Sequence, residues 1–270
     1  MVANTELQRV GLSGWRTGLA NLLGKENHAW WASRRWLVQS VVWAVIVNGL
    51  LAGAVFALPL VIEMTGSPEA DIVDLGLVML FRIGGAALAI GAIVLVQDAI
   101  IGERKAGVTE WLLSKPVSRP AYVLAKLLGH GLGVLVILVG LQGAIAYGLL
   151  SLAMGKPFPL PPYLVGMAGL AVHTLFYLAL ALMMGVLTTS RTKLLGASLG
   201  VLLIGWLVTP IGLSVSTFVM LMPFTLVHIL PAAVQGAPLP LSIWLPIGVT
   251  AVLSVVFVAV TLARFERLEF

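Results

Sequence analysis

Leu37-Val-Gln-Ser-Val-Val-Trp-Ala-Val-Ile-Val-Asn-Gly-Leu-Leu-Ala-Gly-Ala-Val-Phe-Ala-Leu-Pro-Leu-Val-Ile62 runs for 26 residues without a charged side chain. About 20 apolar residues carry a helix across roughly 30 Å of hydrocarbon, so this stretch can span a bilayer. Five more stretches qualify, at about 75–97, 121–152, 163–189, 194–220 and 242–263. Sixty per cent of the 270 residues are hydrophobic and ten per cent are charged, against about half and about a quarter in soluble domains. The expectation is an all-α membrane protein with six transmembrane helices. Residues 37–270 form the transmembrane domain and residues 1–36 a cytoplasmic or interfacial segment ahead of it. The third stretch exceeds a minimal span and is expected to extend beyond the bilayer.

Lys and Arg set the orientation. Five precede the first span, five lie in or beside the loop after the second, two separate spans four and five, and two follow span six. The opposite side receives only Lys156, along with the acidic residues Glu63, Glu69, Asp71 and Asp74. Fourteen against one predicts cytoplasmic N- and C-termini by the positive-inside rule. The basic residues flank apolar runs and form no separate basic face, so the net charge of +5 reflects membrane topology and not nucleic-acid binding. The absence of cysteine excludes disulfides, thiol catalysis and cysteine metal sites. The first 35 residues hold no short apolar run with a small-residue cleavage site, so no removable signal peptide is expected.

Before span one, Leu12, Trp15, Leu19, Leu22 and Leu23 fall on one helical stripe, with Arg9, Ser13, Thr17, Asn21 and Lys25 opposite. This predicts an amphipathic helix lying in the interface, or alternatively packed on a partner. Trp30, Trp31 and Trp36 are its belt residues and Arg34 and Arg35 its anchors. Residues 221–241 are uncharged and broken by Pro223, Pro231, Pro238 and Pro240. Too interrupted to span and too apolar for an exposed loop, they read as re-entrant outer helices between spans five and six. Pro210 is expected to kink span five.

Few residues suggest chemistry. Gly18 to Glu26 resembles a phosphate loop, but its glycines are one residue too far apart and Glu26 replaces the magnesium-binding hydroxyl. No carboxylate falls mid-span. Arg82 is the only charge well inside a span, either a substrate contact or a partner of Glu63, Asp71 or Asp74. His28, His130, His173 and His228 lie on separate segments without metal-ligand spacing. His173 and Tyr177 are four apart, placed to bond each other or a neighbouring helix. The pairs Gly49/Gly53, Gly129/Gly133 and Gly196/Gly200 have small-xxx-small spacing, a weak signal in a chain with 29 glycines.

The distinctive loop runs from Gln97 to Pro120. Ile101, Val108, Trp111 and Leu112 recur at helical spacing, predicting an amphipathic helix over 99–115 that Pro116 ends. Pro120 suits the first turn of span three, with Ser118 or Arg119 near its N-cap. Such a helix either docks in a partner's groove or lies passively at the interface.

Glu103-Arg-Lys-Ala-Gly107-Val, then Leu112-Leu-Ser-Lys-Pro116-Val-Ser-Arg119, then Leu124-Ala-Lys126 resemble the signature of ABC-2 type transporter permeases. Val108 stands where that pattern has Thr. Gln97-Asp-Ala-Ile-Ile-Gly-Glu103 and Leu127-Leu-Gly-His130-Gly are also similar to permeases associated with nitrous oxide reductase maturation. The resemblance implies a non-catalytic permease subunit in a prokaryotic inner or plasma membrane. It would pair with a second permease copy, the same or related, and with two ATPase chains that hold ATP and Mg; no cofactor is expected on this chain. It further implies a cytoplasmic coupling helix in which Glu103, Gly107, Glu110, Trp111 and Leu112 engage the ATPase, with Glu103 holding that helix against the ATPase or the entry helix. Arg119 and Lys126 would set the depth of span three, and an exported substrate would be amphipathic or hydrophobic. The alternatives are an ion-coupled secondary transporter or channel, a lipid-modifying membrane enzyme, and a scaffold without transport activity.

Overall fold

A computed structural model describes residues 14–65, 71–212, 222–235 and 241–268. Helix is the only regular structure among them. Leu12 of the expected stripe, Arg9 and Ser13 opposite it, and most of the loops flanking the short helix between spans five and six, lie outside the described residues.

The N-terminal helix is α1 (Leu19–Trp31). Among the described residues six helices are long and apolar enough to cross a membrane. They are α2 (Arg35–Thr65), α3 (72–96, the membrane part of the continuous stretch Ile72–Lys105), α6 (Arg119–Met154), α7 (Leu160–Leu187), α8 (Arg191–Gly212) and α10 (Leu241–Glu266). Between α3 and α6 stand two short helices, α4 (Ile101–Lys105) and α5 (Val108–Leu113). A 3₁₀ turn (Pro223–Thr225) and α9 (Leu226–Val234) precede α10.

Local chemistry fixes several boundaries. Asp71 caps α3, its carboxylate accepting from the amides of Val73 and Asp74 at 2.8 and 3.1 Å. Ser118 caps α6 by accepting from Ala121 N–H at 3.2 Å, and Pro120 occupies the first turn. At 36 residues, α6 is about 54 Å long at 1.5 Å per residue, more than the hydrocarbon requires.

α7 is the central post: 67% of its most apolar window is buried, against 17% for α10. α9 does not cross the bundle. Its Leu230 and Val234 press against α7 where Gly169 and Gly166 leave room, and its Val227 meets Gly85 of α3. His173 does not bond Tyr177. Their rings meet edge-on at 5.0 Å, and His173 instead approaches the Pro223 carbonyl at 3.4 Å.

Three spans contain π-helical turns: Ala44–Asn48 and Gly53–Ala57 in α2, Met79–Gly84 in α3, and Leu135–Leu141 in α6. Such turns release backbone carbonyls from regular pairing. Gln142 Nε2 takes up one, donating to Ile137 O at 3.0 Å, while its Oε1 accepts from Asn48 Nδ2 at 2.9 Å. This buried amide pair bolts α2 to α6.

One end of the bundle gathers the chain's basic segments. Asp98 pairs with Arg191 there. Ser118 donates to Trp15 O at 2.6 Å, and Arg119 reaches the final carbonyl of α10, Glu266 O, and Leu268 O just beyond it. Arg119 thus sits at a helix C-terminus, where the aligned peptide dipoles favour a cation.

Candidate functional site

The site lies where α1, the α4–α5 segment and the first turns of α6 meet. The buried stripe of α1 is Leu22, Glu26 and Trp30, each four residues from the last. It lies along α6 over Gly129 and Gly133. A Cβ added to Gly129 would come 2.6 Å from Glu26 Cβ, and one on Gly133 would come 2.8 Å from the Trp30 indole. Glycine here allows an approach that any side chain would block.

That packing carries Glu26 into a buried position, where Lys126 Nζ meets its Oε1 at 2.7 Å. Lys126 also meets Glu103 Oε1 at 2.7 Å, and Lys25 reaches the same oxygen at 2.5 Å. The other Glu103 oxygen accepts from Tyr122 O–H at 2.7 Å. Two lysines and two glutamates therefore cancel in charge and share charge-assisted hydrogen bonds, which are about twice as strong as neutral ones. Trp30 Nε1 donates to His130 Nδ1 at 3.2 Å. An indole N–H can only donate, so the neutral imidazole carries its proton on Nε2. That nitrogen faces Glu26 Oε2 at 3.6 Å. Tyr122 stacks on Phe265 at 5.0 Å and 9°, bringing in α10.

Glu103 is consequently the joint of three helices. The single helix expected over 99–115 is two, because Gly107 turns left-handed at φ +68°. A residue with a Cβ would be strained there by about 1–2 kcal/mol. Leu112, expected to anchor a partner, is instead buried against its own chain. Trp111 is 60% exposed with Lys115 over its ring at 4.8 Å, and Glu110 is exposed beside it. The outward face is thus Lys105, Glu110 and Trp111. Gly18, at φ +81°, lets the turn before α1 accept Val117 from the α5–α6 linker.

Several expected interface anchors are used otherwise. Trp30 and Lys126 are buried in the joint and not placed in a belt, since both lie on faces where α1 and α6 meet. Arg35 lies 5.0 Å over Trp30 and donates to Leu95 O at 3.1 Å. Trp31 is half-buried, and Arg34 and Trp36 are exposed. Sequence reasoning gave Lys25, Glu26, Tyr122 and His130 no part in such a joint. The available signal was a glutamate on the apolar stripe of α1 and a lysine on a glycine-rich apolar face, each lacking a partner nearby in sequence.

The model of a protein family described as ABC-2 family transporter protein matches residues 20–270, which take in every part of the joint. The chain belongs to that family. Curated proteins yielded no match. Membership makes this ABC-2 chain the membrane-spanning permease subunit of an ABC transporter, a kind of subunit that works with ABC ATPase subunits.

Arg82 is placed apart from the joint, in the π turn of α3. It meets none of the carboxylates expected for it. Asp71 caps its own helix, Asp74 accepts from Gln235 at 2.9 Å, and Glu63 is exposed. Its guanidinium reaches the His228 carbonyl of α9 at 3.5 Å.

Proposed function

We propose that this permease drives export of an amphipathic or hydrophobic substrate, with the α4–α5 segment receiving the stroke of separate ATPase subunits. Two such subunits hold ATP and Mg, and a second permease copy, most simply the same chain, completes the pathway. The observation that carries the reading is the two-sided α4–α5 segment. Trp111 and Glu110 face outward, while Glu103 on the inner side is bonded to both α1 and α6. An exposed aromatic edged by charge suits a partner's groove. Displacement there passes through Thr109, 3.3 Å from the Tyr122 hydroxyl, and through Glu103–Lys126 into the first turns of α6. The positive-inside count supports cytoplasmic termini, and the family resemblance suggests a prokaryotic inner or plasma membrane.

The test is purification of the tagged chain from its native membranes in mild detergent, with co-purifying proteins identified and ATPase activity assayed. A stoichiometric partner bearing a phosphate loop is expected. Trp111→Ala should weaken its capture by about 2 kcal/mol, roughly thirtyfold, as for an interface hot spot, leaving the thermal midpoint of the chain unchanged. Intact capture by that variant would remove Trp111 from the interface. Gly107→Val should act differently, by redirecting α5. ATP hydrolysis should persist while ATP-dependent transport falls at least tenfold, measured in proteoliposomes. Coupled transport at the wild-type rate would refute the lever.

A further inference from the structure

A second site lies in the membrane part of the bundle, about 15 Å along α3 from Ile72, where Arg82 and His228 line a cleft of about 310 Å³. Its remaining walls are apolar, with Met79 and Ile83 on α3 and Trp206 and Leu207 on α8. Gly205 sets α8 in place. A Cβ on it would come 2.4 Å from the Phe224 ring, so α8 can close on the 3₁₀ turn and bring Trp206 beside α9.

The charge in this cleft is uncompensated. Guanidinium stays protonated under all ordinary conditions, and a charge at membrane depth is costly unless paired. Among the described residues no carboxylate lies within 4 Å of Arg82. Its bond to the His228 carbonyl is long at 3.5 Å. Arg82 Nε and His228 Nε2 are both buried without a hydrogen-bond partner. Two residues that line one apolar cleft therefore each hold a buried, unmatched nitrogen, and Arg82 stands on a π turn of the sort often found at functional positions.

We infer that this cleft binds the head of an anionic amphiphile, a carboxylate or phosphate held by Arg82 and His228. Its chain would run along the exposed apolar face of α8, where Leu203 and Leu207 are 56% and 63% exposed. A guanidinium offers the planar fork that matches either anion, and the volume suits a head and its first methylenes, not a whole lipid. The amphiphile is either a resident membrane lipid or the cargo. Its identity as cargo rests on the transport reading; its binding does not.

The purified full-length chain in detergent, without ATPase or ATP, supplies the test. Dibromostearate, dibromo-phosphatidylglycerol and, as neutral probes, methyl dibromostearate and dibromo-phosphatidylcholine are titrated in. The fluorescence quenching read is the part lost in Trp206→Phe. At least one anionic probe should quench Trp206 saturably, with half-saturation at least tenfold lower than its neutral counterpart. Arg82→Gln should raise that half-saturation about tenfold, and Arg82→Lys less. The comparison of stearate with its methyl ester on the unaltered chain holds even where Arg82→Gln folds poorly. Equal quenching by charged and neutral probes would overturn the site and mark the cleft as ordinary lipid contact. With the ATPase partner in proteoliposomes, ATP-dependent movement of the bound probe between leaflets identifies cargo. Saturable binding without such movement identifies resident lipid, and either result upholds the anion site.

Discussion

Replacing Lys126 with methionine is expected to cost the chain about 3–5 kcal/mol of stability, the range for removing one partner from a buried ion pair. Lys126 is 3% exposed and lies 2.7 Å from a carboxylate oxygen of both Glu26 and Glu103. Methionine keeps most of its length and apolar stem, so the loss isolates the charge. Glu26, 6% exposed, would keep only Lys25 at 3.7 Å among the lysines, and that lysine is already engaged by Glu103. A fall in thermal midpoint on the order of 10 °C in detergent follows for a chain of this size. Adding Glu26→Gln should restore much of it, because Lys25 and Glu103 would then remain as a neutral pair. A Lys126→Met midpoint within a degree of wild type would mean that the network is solvated in the membrane and does not hold the joint.

The contrast between what the sequence discloses and what it conceals follows from the range of each interaction. A span declares itself by local length and composition, so all six were legible, as were Ser118 and Pro120 at the start of α6. The joint is a meeting of Glu26 and Lys126, a hundred residues apart, and no local pattern pairs them. Trp30, Trp31 and Trp36 look alike in sequence. Only the rotation of α1 on α6 decides that the first is buried and the second half-buried, while Trp36, at the start of α2, is 38% exposed. Trp111 and Leu112 pose the same problem, since adjacent residues on a short helix must face different ways. The break at Gly107 had a readable cause, because Arg104 and Lys105 followed by a glycine form a helix C-terminus signal. The wider apolar periodicity masked it. Arg82 was visible as a lone charge, but the short helix α9 that supplies its neighbour His228 lies 146 residues away.

Gly133→Val should destabilise the chain by about 1–3 kcal/mol, the usual cost of overpacking, and lift α1 off α6. The residue in the way is the Trp30 indole, at 2.8 Å from the new Cβ, and it cannot yield freely because its N–H is held by His130. Trypsin cleavage after Lys25 should accelerate in the variant, because Lys25 loses Glu103 as α1 moves. Gly49→Val and Gly196→Val are the controls. They share the same four-residue glycine spacing, yet nothing lies within 4 Å of a Cβ at either position. Their stabilities should change by less than about 0.5 kcal/mol, with trypsin sensitivity unchanged. Equal losses at all three positions would show that helix propensity and not close approach governs these glycines. A selective loss at Gly133 would establish that the glycine groove of α6 exists to admit α1. In that case the buried charges follow from the groove, since Glu26 and Lys126 can meet at 2.7 Å only if the helix backbones already lie this near.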